Sequence, residues 1–208
     1  MAGRELDWKY TEAFIAERPD IAVLRENSAE LGIDAVSAAT GAQLALLSAA
    51  AAPESIIEIG TGLGVSGLWL MDGAPEASFT SIDAEADYQQ VAKAALIEAG
   101  IAPNRVRLIT GAASQVLPRM NDDSYDLVFI DADPDSVIEY VEHGIRLART
   151  GGTILVAHAL WRGKVADPAQ RDEPVGAFRS LLGMMAESSA VTAALSPVGD
   201  GLLQLVKK

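Results

Sequence analysis

Three segments hold the residues whose types and spacing can do chemistry. Ser55-Ile-Ile-Glu-Ile-Gly-Thr-Gly-Leu-Gly-Val-Ser66 reads as a buried strand, a glycine loop and the start of a helix. Ile56, Ile57 and Ile59 fit a strand covered on both faces. Gly60, Gly62 and Gly64 allow a sharp turn and a close backbone approach to a ligand. Open α/β sheets hold nucleotide-like cofactors at such a strand-to-helix crossover. Phe79-Thr-Ser-Ile-Asp83 ends a second strand in a carboxylate, about one crossover unit later. An acid there accepts hydrogen bonds from ribose hydroxyls. Asp83 also suits a cap for a helix starting near Glu85, but the glycine loop upstream favours the ribose reading. Tyr125-Asp-Leu-Val-Phe-Ile-Asp-Ala-Asp-Pro134 brings Asp131 and Asp133 to the carboxyl edge of the same sheet. One of the two is free to cap the helix near Asp135, and Asp131 is assigned to the site.

The glycine spacing separates two cofactor classes. A dinucleotide site uses G-x-G-x-x-G with the pyrophosphate on a helix N-terminus. This loop is G-x-G-x-G, preceded by Glu58 inside the strand. A carboxylate there repels a pyrophosphate and suits the amino group of a methionine moiety, which points to S-adenosylmethionine. The alternative for Glu58 is a paired structural carboxylate.

The elements that must position these groups follow from periodicity. Residues 3–32 read as mainly helical with a break at Pro19, and a helix over 38–51 ends at Pro53. Strands at 55–60, 78–83, 105–110, 125–131 and 152–157 then alternate with helices at 64–72, 85–99, 112–119 and 135–148. That alternation implies right-handed crossovers and a parallel sheet. A helix over 173–187 precedes strands at 191–197 and 201–206, whose short connection predicts an antiparallel edge hairpin. The 208 residues suit one domain, with 1–52 as a helical cover and 53–208 as the α/β core.

Composition narrows the function. A net charge of −13 disfavours nucleic acid and anionic membrane surfaces as partners and leaves a small molecule. No apolar run is long enough to span a bilayer, and the N-terminus is unlike a signal peptide. The absence of cysteine removes disulfide and thiolate chemistry and fits a cytoplasmic location.

Taken in order, Glu58-Ile-Gly-Thr-Gly-Leu-Gly-Val-Ser66, Ile82-Asp83, Gly111-Ala-Ala-Ser-Gln115, Phe129-Ile-Asp-Ala-Asp133, Ala159-Leu-Trp161 and Pro197-Val-Gly-Asp-Gly201 resemble one family. It is the class I S-adenosylmethionine-dependent O-methyltransferases of the catechol and caffeoyl-CoA type, and the likeness runs from about Gly32 onwards. The resemblance implies a Rossmann-like, seven-stranded, mostly parallel sheet with a reversed C-terminal hairpin and helices on both faces. It also implies N-terminal helices that cover the site and build a homodimer. Gly60, Thr61, Gly62 and Ser66 would line the methionine end, with Gly64 in the same loop and Glu58 near the amino group. Asp83 would hold the ribose, with Ala84 next to it, and Ala113, Ser114 and Gln115 would flank the adenine. Val36 would touch the cofactor from the lid side, and Asp131 and Tyr140 would close the site.

The departures from that family are specific. Its divalent cation is held by the Asp matching Asp131 and by an Asp-Asn pair that aligns with Ala157-His158. Its Lys after Asp-x-Asp is Pro134 here. One carboxylate, an alanine and a histidine are a poor donor set for a hard cation, so no divalent metal is expected. His158 becomes the candidate general base, titrating in the useful range, with Asp131 and Asp133 as alternatives; a buried structural histidine is the competing reading. The Gly- and Pro-punctuated segment 161–174 is expected to be a mobile lid or a substrate loop, with Trp161 walling an aromatic acceptor or packing at a hinge. Trp69 is expected in the core and His143 in solvent. The sum is an O-methyltransferase for a small hydroxylated acceptor; the alternative is a degenerate cofactor-binding protein that senses or docks.

Overall fold

A computed structural model describes residues 2–208. The N-terminal helices are α1 (Ala2–Glu12), α2 (Pro19–Glu30) and α3 (Ala38–Ala51). The alternating core follows as β1 (Ser55–Ile59), α4 (Val65–Gly73), β2 (Ser78–Asp83), α5 (Ala86–Glu98), β3 (Val106–Thr110), α6 (Ala113–Val116), β4 (Tyr125–Ile130), α7 (Val137–Leu147) and β5 (Ala148–Val156). α8 (Glu173–Glu187), β6 (Val191–Ser196) and β7 (Leu202–Lys207) complete the chain.

All seven strands form one sheet in the order β3-β2-β1-β4-β5-β7-β6. The first five run parallel, while β7 is antiparallel to both β5 and β6. The chain moves outward from β1 to β3 and then returns to place β4 on the other side of β1. That reversal leaves a crevice beyond the carboxyl ends of β1 and β4, where α/β folds bind ligands. Gly60 N–H donating to Ile82 O (2.9 Å) and Asp131 N–H donating to Ile59 O (2.8 Å) hold its floor.

Near-continuous apolar runs in the central strands reflect burial on both faces. Along β1, Ile57 and Ile59 enter the core shared with α7 and α8, and Ile56 enters the one shared with α2, α3 and α4. Trp69 lies in the second core, 5% exposed, as expected.

The seven strands and the main helices agree with the sequence reading, apart from local boundaries. Pro19 opens α2 as its first residue and does not merely break a longer helix. Expected helix 112–119 divides into α6 and a 3-10 turn at Leu117–Arg119, because Pro118 has no N–H to continue an α-helical ladder. Expected helix 135–148 opens as a 3-10 turn at Pro134–Ser136. β5 starts earlier than expected, and its register against β4 slips between Tyr125 and Leu127.

Candidate active site

Asp83, at the end of β2, braces the glycine loop that follows β1. Its Oδ2 accepts the backbone N–H of Thr61 and of Gly62, each at 2.9 Å, while Oδ1 accepts Glu85 N–H at 2.9 Å. One carboxylate thus caps the next turn and holds the loop. Gly64 packs on Ala92 of α5 and lines no cavity of this edge.

Glu58 differs from its expected place beside the cofactor's amino group. It is 0% exposed and lines none of the cavities described below. Its two oxygens accept Ser66 Oγ–H (2.5 Å) and Ser81 Oγ–H (2.7 Å), so it is a paired internal carboxyl. Burial pushes it from 4.5 up to about 8, against the pull of the two serines. A group raised in this way stabilises the folded chain fully below its unfolded value, and the benefit is lost as pH rises through about 8. Glu58→Gln removes that dependence. Between pH 5.5 and 7.5, wild type is expected to lose roughly 1.4 kcal/mol per unit relative to the variant. Parallel urea-unfolding stabilities across that range would rule it out.

Three adjoining cavities open along the carboxyl edge. The first, about 330 Å³, is bordered by Ile82, Asp83, Ala84, Tyr88, Gly111, Ala113 and Tyr140. The second, about 290 Å³, runs past Val36, Gly60, Thr61, Gly62, Ser66 and Asp131. The third, about 730 Å³, is walled by Trp8, Glu12, Ser37, Thr40, Leu160 and Asp200. Gly60, Gly62 and Asp131 border both smaller cavities; Asp34, Val36, His158 and Arg162 border both the second and the third. Ser114 and Gln115 are exposed on α6 and line none of the three.

Of the two acids after β4, Asp133 takes the capping role. Its carboxylate accepts Ser136 Oγ–H (2.7 Å) and Asp135 N–H (3.4 Å), while the residue also borders both smaller cavities. Asp131 instead faces His158, with Oδ1 at 3.4 Å from Nε2. Burial holds the Asp131 carboxyl above its ordinary range, and the nearby ring pulls it the other way.

His158 stands at the junction of the second and third cavities. Its Nε2 lies 3.1 Å from the Asp34 carbonyl, and its Nδ1 lies 3.5 Å from Asp200 Oδ2. Burial works against charge on the ring, but Asp131, Asp200 and Asp34 outweigh it and raise the pKa to about 9. At neutral pH such a ring carries its proton and donates hydrogen bonds. The base expected from the sequence is therefore a cation at pH 7.

The backbone here is strained. Of five non-glycine residues with positive φ among those described, three are His158 (55°), Trp161 (43°) and Arg162 (55°). The turn before β7 holds them: Ala159 and Leu160 N–H donate to the Gly201 and Asp200 carbonyls at 2.9 Å, and Arg162 N–H donates to Asp200 Oδ1. Arg162 Nη2 also reaches Asp34 Oδ2 at 2.5 Å.

Segment 161–174 is held in place along its length, and Trp161, Arg162 and Gly163 border the cavities. The Arg179 guanidinium donates to the carbonyls of Val165 (2.9 Å), Gln170 (2.7 Å), Lys164 (3.1 Å) and Asp167. Trp161 stacks on Phe178 with ring centroids 5.5 Å apart and also borders the second cavity. His143 is not free in solvent, since its Nδ1 sits 3.1 Å from Arg146 Nη2.

Sequence reasoning missed Trp8, Glu12, Asp34, Tyr88, Arg162 and Asp200 as cavity residues. Asp200 lay inside a motif that carried the family likeness and was otherwise read as the hairpin connection. The donor set does not fit a divalent cation. Among the described residues no three His, Asp or Glu side chains converge on a point a metal could occupy. Asp131 and Asp200 are held on opposite edges of the His158 ring.

A parallel sheet ending in an antiparallel pair, with a glycine loop and an acid-tipped second strand lining one crevice, defines a Rossmann-like methyltransferase. The chain belongs to the O-methyltransferase family, whose model matches residues 13–208. A Mycobacterium avium protein with an O-methyltransferase name is 47% identical over 199 residues, covering 95% of this chain and 90% of its own. A Corynebacterium glutamicum crystal structure superposes with a TM-score of 0.88 at 31% identity, covering 100% of this chain and 97% of that one. The O-methyltransferase TomG of Streptomyces achromogenes, involved in tomaymycin synthesis and crystallised with S-adenosylmethionine, gives 0.84 at 28% identity, with 98% and 96% covered.

Proposed function

We propose that this chain transfers a methyl group from S-adenosylmethionine to a hydroxyl of a small acceptor, aromatic acceptors included, without a divalent metal. The observation that carries the reading is the line of two smaller cavities, from Asp83 and Ala113 to Ser66 and Asp131, opening at His158 onto a larger one. A cofactor extended along that line would be held by Ala113 and Tyr140 at its adenine, by Asp83 at its ribose and by Thr61 and Ser66 at its methionine end. The third cavity takes the acceptor, and its volume suits a small organic molecule.

When bound, S-adenosylmethionine would supply an electrophilic methyl with a neutral thioether as its leaving group, so that the electron pair of the broken carbon–sulfur bond would stay on sulfur. The chain's own work is alignment and proton removal. Val36, Leu160 and Trp8 confine the acceptor, which recovers much of the entropic part of the barrier. Asp131, raised by burial, is a better proton acceptor than an ordinary carboxylate and takes the hydroxyl proton, held in place by the His158 ring beside it. The strained, multiply bonded segment 158–162 favours this reading over a degenerate binding protein.

Calorimetric titration tests it. S-adenosylmethionine and S-adenosylhomocysteine should bind at micromolar concentration with EDTA present, and NAD should not. Tight NAD binding, or no binding of either adenosyl compound, would sink the assignment.

Residues 1–208 work as one cytoplasmic domain in this reading, since α1 walls the acceptor cavity, and a homodimer forms through the N-terminal helices. Leu6, Tyr10 and Phe14 are 68%, 72% and 69% exposed, and Leu46 on α3 is 68% exposed, an apolar face suited to a second copy. Light scattering at the mass of a single chain would refute the dimer.

A further inference from the structure

We infer that the ring of His158 fills the seat at which members of this family hold a divalent cation, and takes the metal's place beside the acceptor oxygen. The inference rests on the O-methyltransferase reading above and deepens it.

Four observations converge. By the resemblance drawn from the sequence, Ala157 and His158 stand where the family has its Asp-Asn pair, and alanine offers no donor atom. The backbone at His158 adopts a left-handed φ of 55° in the turn after β5, which fixes the direction in which its side chain leaves the chain. The ring is gripped on both edges, by the Asp34 carbonyl (3.1 Å) and Asp131 (3.4 Å) at Nε2 and by Asp200 (3.5 Å) at Nδ1. Asp200 Oδ2 is buried with no hydrogen-bond partner of its own, so the ring edge is its nearest complement. Asp131, the one carboxylate that remains of the family's cation site, is thus spent on a side chain.

The ring also has the right outlook. It borders the cavity assigned to the methionine end and the one assigned to the acceptor. A group at that junction meets the acceptor oxygen at the moment of transfer. A hard cation collects six or more oxygens around one point. Here the two carboxylates lie on opposite sides of an imidazole, and no cation reaches both while the ring is present.

The test is manganese binding, followed by paramagnetic resonance with S-adenosylhomocysteine affinity measured in parallel. Wild type is expected to bind Mn²⁺ no tighter than about 1 mM. Ala157→Asp with His158→Asn, which restores the Asp-Asn pair beside Asp131, is expected to bind at least about tenfold tighter, with S-adenosylhomocysteine affinity retained. Wild-type binding below about 100 μM overturns the inference. So does a double variant that holds S-adenosylhomocysteine but gains no affinity for Mn²⁺. Should the double variant lose S-adenosylhomocysteine, His158→Asn alone decides, and a metal affinity equal to wild type counts against the inference. Loss of S-adenosylhomocysteine binding in wild type speaks against the methyltransferase reading, while the manganese result still reports on the seat.

Discussion

Gly60→Ala is expected to abolish S-adenosylhomocysteine binding and to lower stability by about 3 kcal/mol or more. Gly60 sits at φ +94°, where an L side chain is strained in any surroundings. The space is closed as well, since a Cβ built there falls 1.8 Å from the Asp131 carbonyl oxygen and 2.6 Å from its carbon. The obstacle is backbone at the end of β4, which cannot swing aside as a side chain would. Relief requires parting β1 from β4, the central pair of the sheet, and moving Asp131 with it. Steric conflicts of this kind belong to the large tail of mutational effects. For a chain of this size a loss of 3 kcal/mol lowers the melting temperature by roughly 10 °C. Thermal unfolding with and without S-adenosylhomocysteine measures both effects. A variant that melts like wild type would show that the close approach of Gly60 to Asp131 is misplaced.

Asp83→Asn is expected to weaken S-adenosylhomocysteine binding about 100-fold and leave the fold intact. The carboxylate accepts three backbone N–H groups, from Thr61, Gly62 and Glu85. An amide has one accepting oxygen, so either the loop or the Glu85 turn then faces an NH₂. An unmet donor of this sort costs roughly 1–3 kcal/mol, and 100-fold in affinity is about 2.7 kcal/mol. The ribose contact proposed for the same carboxylate is weakened along with the loop. Asp83 is partly exposed at the end of its strand, so the core does not depend on it. Calorimetry separates the cases: unchanged affinity removes Asp83 from the cofactor site, and lost cooperativity of unfolding makes its role structural.

The fold was legible because it is written in local patterns. Runs such as Ile56-Ile57 and Leu127–Ile130 have no polar face, which marks strands covered on both sides, and the helices between them announce parallel crossovers. The glycine loop and the acid ending β2 were legible for the same reason, since both sit at fixed distances from a strand end.

Side-chain partnerships were not legible, because they join residues far apart in the chain. Arg162 meets Asp34 across 128 positions, and His158 meets the Asp34 carbonyl across 124. Nothing near either residue announces the other. Glu58 shows the same limit in a subtler form. Its strand was read correctly, yet whether its carboxyl faces a ligand or two serines depends on Ser66 and Ser81, which belong to different elements. Asp133 was a matter of competition, because a proline-initiated turn directly after it supplied Asp135 N–H and Ser136 Oγ–H at once.

The three cavities are built from different parts of the chain. The wall nearest Asp83 and Tyr140 comes from the strand ends and the turns after them. The largest cavity draws instead on α1, the approach to α3, the segment after β5 and the turn before β7. If the largest cavity takes the acceptor as proposed, substitutions at Trp8, Glu12 or Ser37 would reshape it without touching the residues assigned to the methyl donor. A lineage carrying this fold is free to exchange one acceptor for another through its N-terminal helices while the transfer machinery stays as it is.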